Sequence, residues 1–212
     1  MKKILLLTDS LALSRISDGH KVRYERTWAN LLKNDFDVHQ VSIGGATITE
    51  IAEQMDYHSL FEPDIVIIQA GIVDCAPRAF TKAERQIFSS IPLINRVFNK
   101  ISAKYGKRIR NLRQKSYTPV SKFEMMVKKI KDFFSPRPVY FLGIVPAMPG
   151  YELQVKGIKK RIDLYNNVIK QNANYISLEK IGPEHILPDF HHLNELGNEF
   201  VYKKILQHLN SH

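Results

Sequence analysis

Five short apolar runs, separated by stretches with helical spacing, leave this chain few architectures to fold into. They are Ile4–Leu7, Phe36–Ile43, Ile65–Gln69, Pro138–Val145 and Tyr175–Leu178. The third, Ile65-Val-Ile-Ile-Gln69, is continuously apolar and β-branched rather than alternating, the pattern of a strand covered on both faces. Strands that alternate with helices pair in parallel, since each connection crosses back over the sheet. The pattern predicts an α/β doubly wound three-layer sandwich with a five-stranded parallel sheet in the flavodoxin-like order 2-1-3-4-5. In such sheets the first strand is central and ligands sit beyond the carboxyl ends of the strands.

Between the strands, spacing predicts one helix from after Ser10 to about Lys33, carrying Tyr24, Trp28, Leu31 and Leu32 on its apolar face. Ser14 to Gly19 is polar enough to form an irregular turn there. Further helices are expected over Ile48–Met55, from Ile87 to Ile101 with a break at Pro92, over Phe123–Phe134 and Lys156–Lys170, and from Asn194. Lys104 to Pro119 reads as a basic loop. The 212 residues suit a single domain spanning 1–212, interrupted by a basic helical insertion at about 80–137 that contains no clear strand.

Charge is concentrated in that insertion. The chain carries a net +10, and between Arg96 and Lys131 there are twelve Lys or Arg residues against one acid, Glu124. The remainder is close to neutral. Such a segment suits an anionic partner, or is a solvated surface. It has few aromatics for stacking bases, so nucleic acid is not favoured. No apolar stretch approaches the roughly 18 residues of a membrane helix, and Lys2-Lys3 precedes only four strongly apolar residues, too few for a secretion signal. The lone Cys75 forms no internal disulfide and fits a reducing compartment, so a cytoplasmic protein is expected. Cys75 reads as a packed thiol, and no ligand spacing supports a metal or cofactor.

The residues with chemical promise fall at the predicted strand ends. Thr8-Asp9-Ser10 follows the first strand, where a serine hydroxyl would meet the N–H groups of a starting helix. Ser10 read alone is equally a helix cap. Gly44-Gly45 ends the second strand, and Gly71-Ile-Val-Asp74 follows the third. Asp189-Phe-His-His192 precedes the last helix. There an aspartate three residues before a histidine can hold the ring in one tautomer.

Together these blocks resemble the SGNH/GDSL hydrolase family. Thr8-Asp9-Ser10-Leu11 is similar to its Gly-Asp-Ser-Leu nucleophile block, Gly45 stands at its oxyanion glycine, and Gly71-Ile-Val-Asp74 stands at its Gly-x-Asn-Asp. Asp189 to His192 matches its terminal Asp-x-x-His. The resemblance implies Ser10 as nucleophile, His192 as general base, Asp189 as its orienter, and the N–H groups of Ser10 and Gly45 as the oxyanion hole. Val73 replaces the asparagine that supplies a third oxyanion donor; Arg15, Arg78, Gln69 and the backbone of 71–74 are the candidates to compensate. Gly71 to Arg78 further resembles members associated with bacterial surface-polysaccharide clusters.

The implied function is a serine esterase removing an acyl group, acetyl first, from a carbohydrate or polysaccharide precursor. The alternatives are a sugar O-acyltransferase using the same triad, or a weakly catalytic protein binding an anionic glycan or nucleic acid through the insertion. The partner would be a small-molecule or glycan acyl ester contacted by Arg15, Asp74 and Arg78, and an anionic one would suit Arg15, Arg78 and the insertion. Leaving the sheet after the third strand, the insertion is placed to cap the site.

Overall fold

A computed structural model describes residues 1–210. Its strands are β1 (Lys3–Thr8), β2 (Arg15–Ser17), β3 (His20–Val22), β4 (Asp37–Ser42), β5 (Ile65–Gln69), β6 (Val139–Leu142) and β7 (Asn174–Ile176). Five of them form one parallel sheet in the order β4-β1-β5-β6-β7, the expected order with the first strand inside. Ile4 to Leu7 are at most 1% exposed, because both faces of β1 are covered as well as both of its edges. Leu6 stands between Gln40 of β4 and Ile67 of β5.

The longer helices cover the sheet. The helices in chain order are α1 (Trp28–Leu31), α2 (Ile48–Ala52), α3 (Met55–His58), α4 (Ile72–Cys75), α5 (Lys82–Ser90), α6 (Pro92–Arg113), α7 (Val120–Phe134), α8 (Pro149–Gln154), α9 (Ile158–Asn172) and α10 (Glu195–Asn210). α1 packs with α10, while α7 packs against both α2 and α9. No helix among the described residues is long and apolar enough to cross a membrane.

Two local expectations are corrected. The stretch after Ser10 is not one helix but a single turn, the β2–β3 hairpin, and then the short α1. Asp18 (φ +46°) and Gly19 (φ +78°) make its two-residue turn, since both central positions need left-handed backbone. The expected basic loop at 104–119 is helical as far as Arg113, because Lys and Arg are strong helix formers and nothing stops the helix before Gln114 (φ +47°). Pro92 does break the helical stretch, by occupying the first position of α6, where its missing N–H costs nothing. A capping box at Thr81–Glu84 starts α5, and Arg113 at the end of α6 bonds Glu84 at 2.6 Å, closing α5 and α6 into a hairpin.

Candidate active site

Ser10 opens a single helical turn directly after β1, with Asp9 as its cap. The turn is held from three sides. Asp9 N–H donates to the Gln69 carbonyl at 2.9 Å, Asp9 Oδ1 accepts from Leu11 N–H at 2.9 Å, and the Trp28 indole N–H donates to the Leu11 carbonyl at 3.2 Å. Trp28 is therefore a core residue with a polar tether to the serine turn, and it is fully buried.

The last loop brings the acid and the base to this turn. Ser10 Oγ lies 3.1 Å from His192 Nε2, and His192 Nδ1 lies 2.9 Å from Asp189 Oδ2. Asp189 Oδ1 accepts the backbone N–H groups of His191 (3.2 Å) and His192 (3.0 Å), which anchors the carboxylate beside the ring. With Nδ1–H donated to Asp189, His192 presents its Nε2 lone pair to the hydroxyl. Burial, reinforced by the neighbouring His191, pushes the His192 pKa down to about 4 against the opposing pull of Asp189. Burial alone would raise Asp189, but the His192 N–H and the adjacent imidazole outweigh it and hold the carboxyl below its usual range. The result is a neutral base beside a hydroxyl across most of the pH range.

A cavity of about 280 Å³ opens onto Ser10 and His192, and Gly45, Val73, Arg15 and Arg78 line it. Gly45 takes φ +73°, a left-handed backbone that glycine adopts without strain. Neither the Ser10 nor the Gly45 N–H is committed to an acceptor in the surrounding turns. Gly71 is bound to its place by contact as well as conformation: at φ +129°, a Cβ there would lie 2.5 Å from Ile144 Cδ1. It starts α4, which presents Ile72 and Val73 to the cavity. Val73 thus gives this side of the cavity an apolar wall. Of the candidate substitutes, Arg15 and Arg78 reach the cavity, whereas Gln69 is buried outside its lining.

Asp74, expected to contact substrate, does not line the cavity. Its carboxylate is fully buried, accepting from Ile48 N–H at the start of α2 (3.1 Å) and from Thr118 Oγ1 (2.5 Å). Burial raises its pKa to about 6 despite those donors. Cys75 is buried and its thiol is pushed upward by burial, consistent with a packed residue. His191 also lines the cavity. Its Nδ1–H donates to the Asp189 carbonyl at 2.9 Å, and its ring stacks on Tyr151 with centroids 5.1 Å apart and planes 15° apart. Tyr151 carries no site signal of its own in the sequence, although it lies in the segment that follows β6, two residues into α8 after Pro149. Asp189, His191 and His192 place donor atoms within 4.8 Å of one another. Those of His192 and Asp189 are already engaged with each other and Ser10, so an ion held there would break that chain.

A strand-end hydroxyl backed by an imidazole and a carboxylate, on a doubly wound sheet, is the build of an α/β acylhydrolase. The chain belongs to the GDSL-like Lipase/Acylhydrolase family, whose model matches residues 9–199. Among solved structures it is similar to the lipase/acylhydrolase from Enterococcus faecalis, at 17% identity and a TM-score of 0.67 over 100% of this chain and 96% of that one. It is also similar to an acetyl xylan esterase, AlAXEase, at 18% identity and a TM-score of 0.60 over 97% and 98% of the two chains. The psychrotrophic esterase EstA from Pseudoalteromonas sp. shares 16% identity and a TM-score of 0.59 over 100% and 98%. At these identities the likeness is one of fold. No curated protein matches the sequence.

Proposed function

We propose that the protein is a serine esterase that removes a short acyl group, acetyl above all, from a carbohydrate ester. The observation that carries this reading is the hydrogen-bonded chain from Ser10 through His192 to Asp189, at 3.1 and 2.9 Å. His192 Nε2 takes the Ser10 proton as Oγ attacks the acyl carbonyl, and Asp189 stabilises the imidazolium that results. The N–H groups of Ser10 and Gly45 receive the tetrahedral oxyanion. His192 then protonates the departing sugar hydroxyl, and water, activated by the same ring, releases the acid.

The cavity at Ser10, lined by Val73 and Tyr151, is small at about 280 Å³, which favours a short acyl group over a long chain. The fold shared with an acetyl xylan esterase points the same way. With Val73 in place of an amide donor, Arg15 supplies positive charge to the cavity; its Nε is buried without a protein partner. A place in bacterial surface-polysaccharide metabolism rests on the resemblance of Gly71 to Arg78 alone.

A fluorophosphonate probe should label the wild-type protein and not Ser10→Ala, and His192→Ala should label far more slowly. Hydrolysis of p-nitrophenyl acetate should fall by about 10⁴-fold or more in either variant. Acetate-ester hydrolysis persisting in Ser10→Ala at the wild-type rate would overturn the proposal. Acylated sugar forming from an acyl donor and a sugar acceptor would make the protein a transferase with the same residues.

A further inference from the structure

A second cavity, of about 350 Å³, adjoins the first through Arg78, which lines both. It lies between the loop after α4 and the inner face of the α5–α6 hairpin. Its charged lining consists of Arg78, Arg85, Lys107 and Arg110, and it holds no carboxylate. Nearby cations outside it are matched, Arg113 by Glu84 and Lys82 by Glu50. Among the described residues, none of the four lining cations forms an ion pair.

Unspent hydrogen-bonding capacity collects in the same place. Arg78 Nε, Ser102 Oγ and Arg110 Nε are buried without a protein partner, and all three line this cavity. Arg85 gives one N–H to Tyr117 Oη at 3.1 Å and Arg110 gives one to the Gln154 carbonyl at 2.5 Å, leaving the other donors of each fork free of these bonds. Arg78 is held in place by stacking, its guanidinium carbon 4.9 Å from the centre of the Tyr117 ring. Phe80 and Phe98, edge to face at 4.8 Å, form an apolar wall for a ring.

Four like charges around one small space repel one another until an anion occupies it. A sugar carboxylate brings a single charge, whereas a phosphate monoester brings about −1.5 to −2 with three acceptor oxygens that match guanidinium forks. We propose that this cavity seats a phosphate group of the substrate, so that the ester hydrolysed at Ser10 is borne by a phosphorylated saccharide. Arg78 then stands between the acyl end and the phosphate end. This inference rests on the esterase reading for the role of Ser10, but the phosphate site itself does not depend on catalysis.

The test separates the two. Titration calorimetry of inorganic pyrophosphate into the Ser10→Ala protein should show binding, weakened about tenfold or more in Arg85→Gln and in Lys107→Gln backgrounds. Lys128→Gln, a charge loss on α7 outside both cavities, should leave the affinity unchanged. With Ser10 intact, the preference in kcat/KM for an acetylated sugar phosphate over the same unphosphorylated sugar should fall by about the same factor in Arg85→Gln and Lys107→Gln. Absence of pyrophosphate binding, or binding indifferent to Arg85 and Lys107, would overturn the inference. So would glucuronate binding as tightly as pyrophosphate, because the seat would then be one for a carboxylate. Loss of the esterase reading would register separately, as ester hydrolysis that survives Ser10→Ala.

Discussion

The protonation of two residues at the serine turn sets how activity and stability respond to pH. His192, held down to about 4, stays neutral well below the ordinary histidine range. The acid limb of the kcat/KM profile for a neutral acetate ester should therefore fall near pH 4 rather than near 6.5. A limb near 6.5 would mean that the base is exposed or is another residue. Asp9 is displaced in the other direction: burial raises its pKa to about 7, against the N–H of Leu11 and the side chain of Gln69. A folded pKa above the unfolded value favours the protonated form. The resulting stability is complete below about pH 4 and is lost as pH rises through 7. Asp9→Asn keeps the acceptor for Leu11 N–H and removes the titration. Urea unfolding should thus show the variant gaining on the wild type between pH 4 and 8, by an amount on the order of 4 kcal/mol. His192 and Asp74 titrate in both proteins, and the part of the difference that comes from Asp74 reflects its like-charge repulsion with Asp9.

At the scale of elements, the loop between β5 and α4 is the most constrained junction around the cavity. Gly71 combines a backbone that L side chains rarely adopt with contact against Ile144 of the segment after β6. Gly71→Ala should destabilise the fold by about 2 kcal/mol or more, measured by thermal unfolding, and should lower kcat because Val73 forms the cavity wall two residues later. Adding Ile144→Val removes the nearest clashing methyl and should recover part of the loss, leaving the part due to φ. A full recovery would show that backbone conformation matters little there. Asp74, the residue after Val73, ties this same junction to α2 and to Thr118. It therefore supports the site without facing it.

For the whole molecule, the uneven charge is the governing property. A net +10 gathered largely on one insertion produces a field that acts beyond hydrogen-bond range and fades over about 8 Å at physiological salt. Raising the salt from 50 to 300 mM should reduce kcat/KM for an anionic acetate ester several-fold while leaving a neutral ester nearly unchanged. Equal responses would place the charge too far from Ser10 to matter. The insertion borders the site rather than covering it: its lining residues belong to the second cavity, not to the one at Ser10.

What could be read from the chain alone follows from short-range rules. The apolar runs specify β1, β4, β5, β6 and β7, and their alternation with helices specifies a parallel sheet, because both depend only on neighbours along the chain. The Asp189–His192 spacing was legible for the same reason, since three residues of one loop place carboxylate and ring together. The Asp18-Gly19 turn was also a local signal, overridden by the apolar spacing of Trp28, Leu31 and Leu32. Tertiary structure decided the rest. Asp74 stands one residue from Val73, yet one faces a buried N–H and the other the cavity, a difference set by the packing of α2 and Thr118. His191 and Tyr151 meet only because the last loop and α8 are folded against each other. Arg78, Arg85, Lys107 and Arg110 surround one space only because Pro92 turns α6 back along α5. Burial, contact and field are properties of groups distant in sequence, and they exist only once the chain is folded.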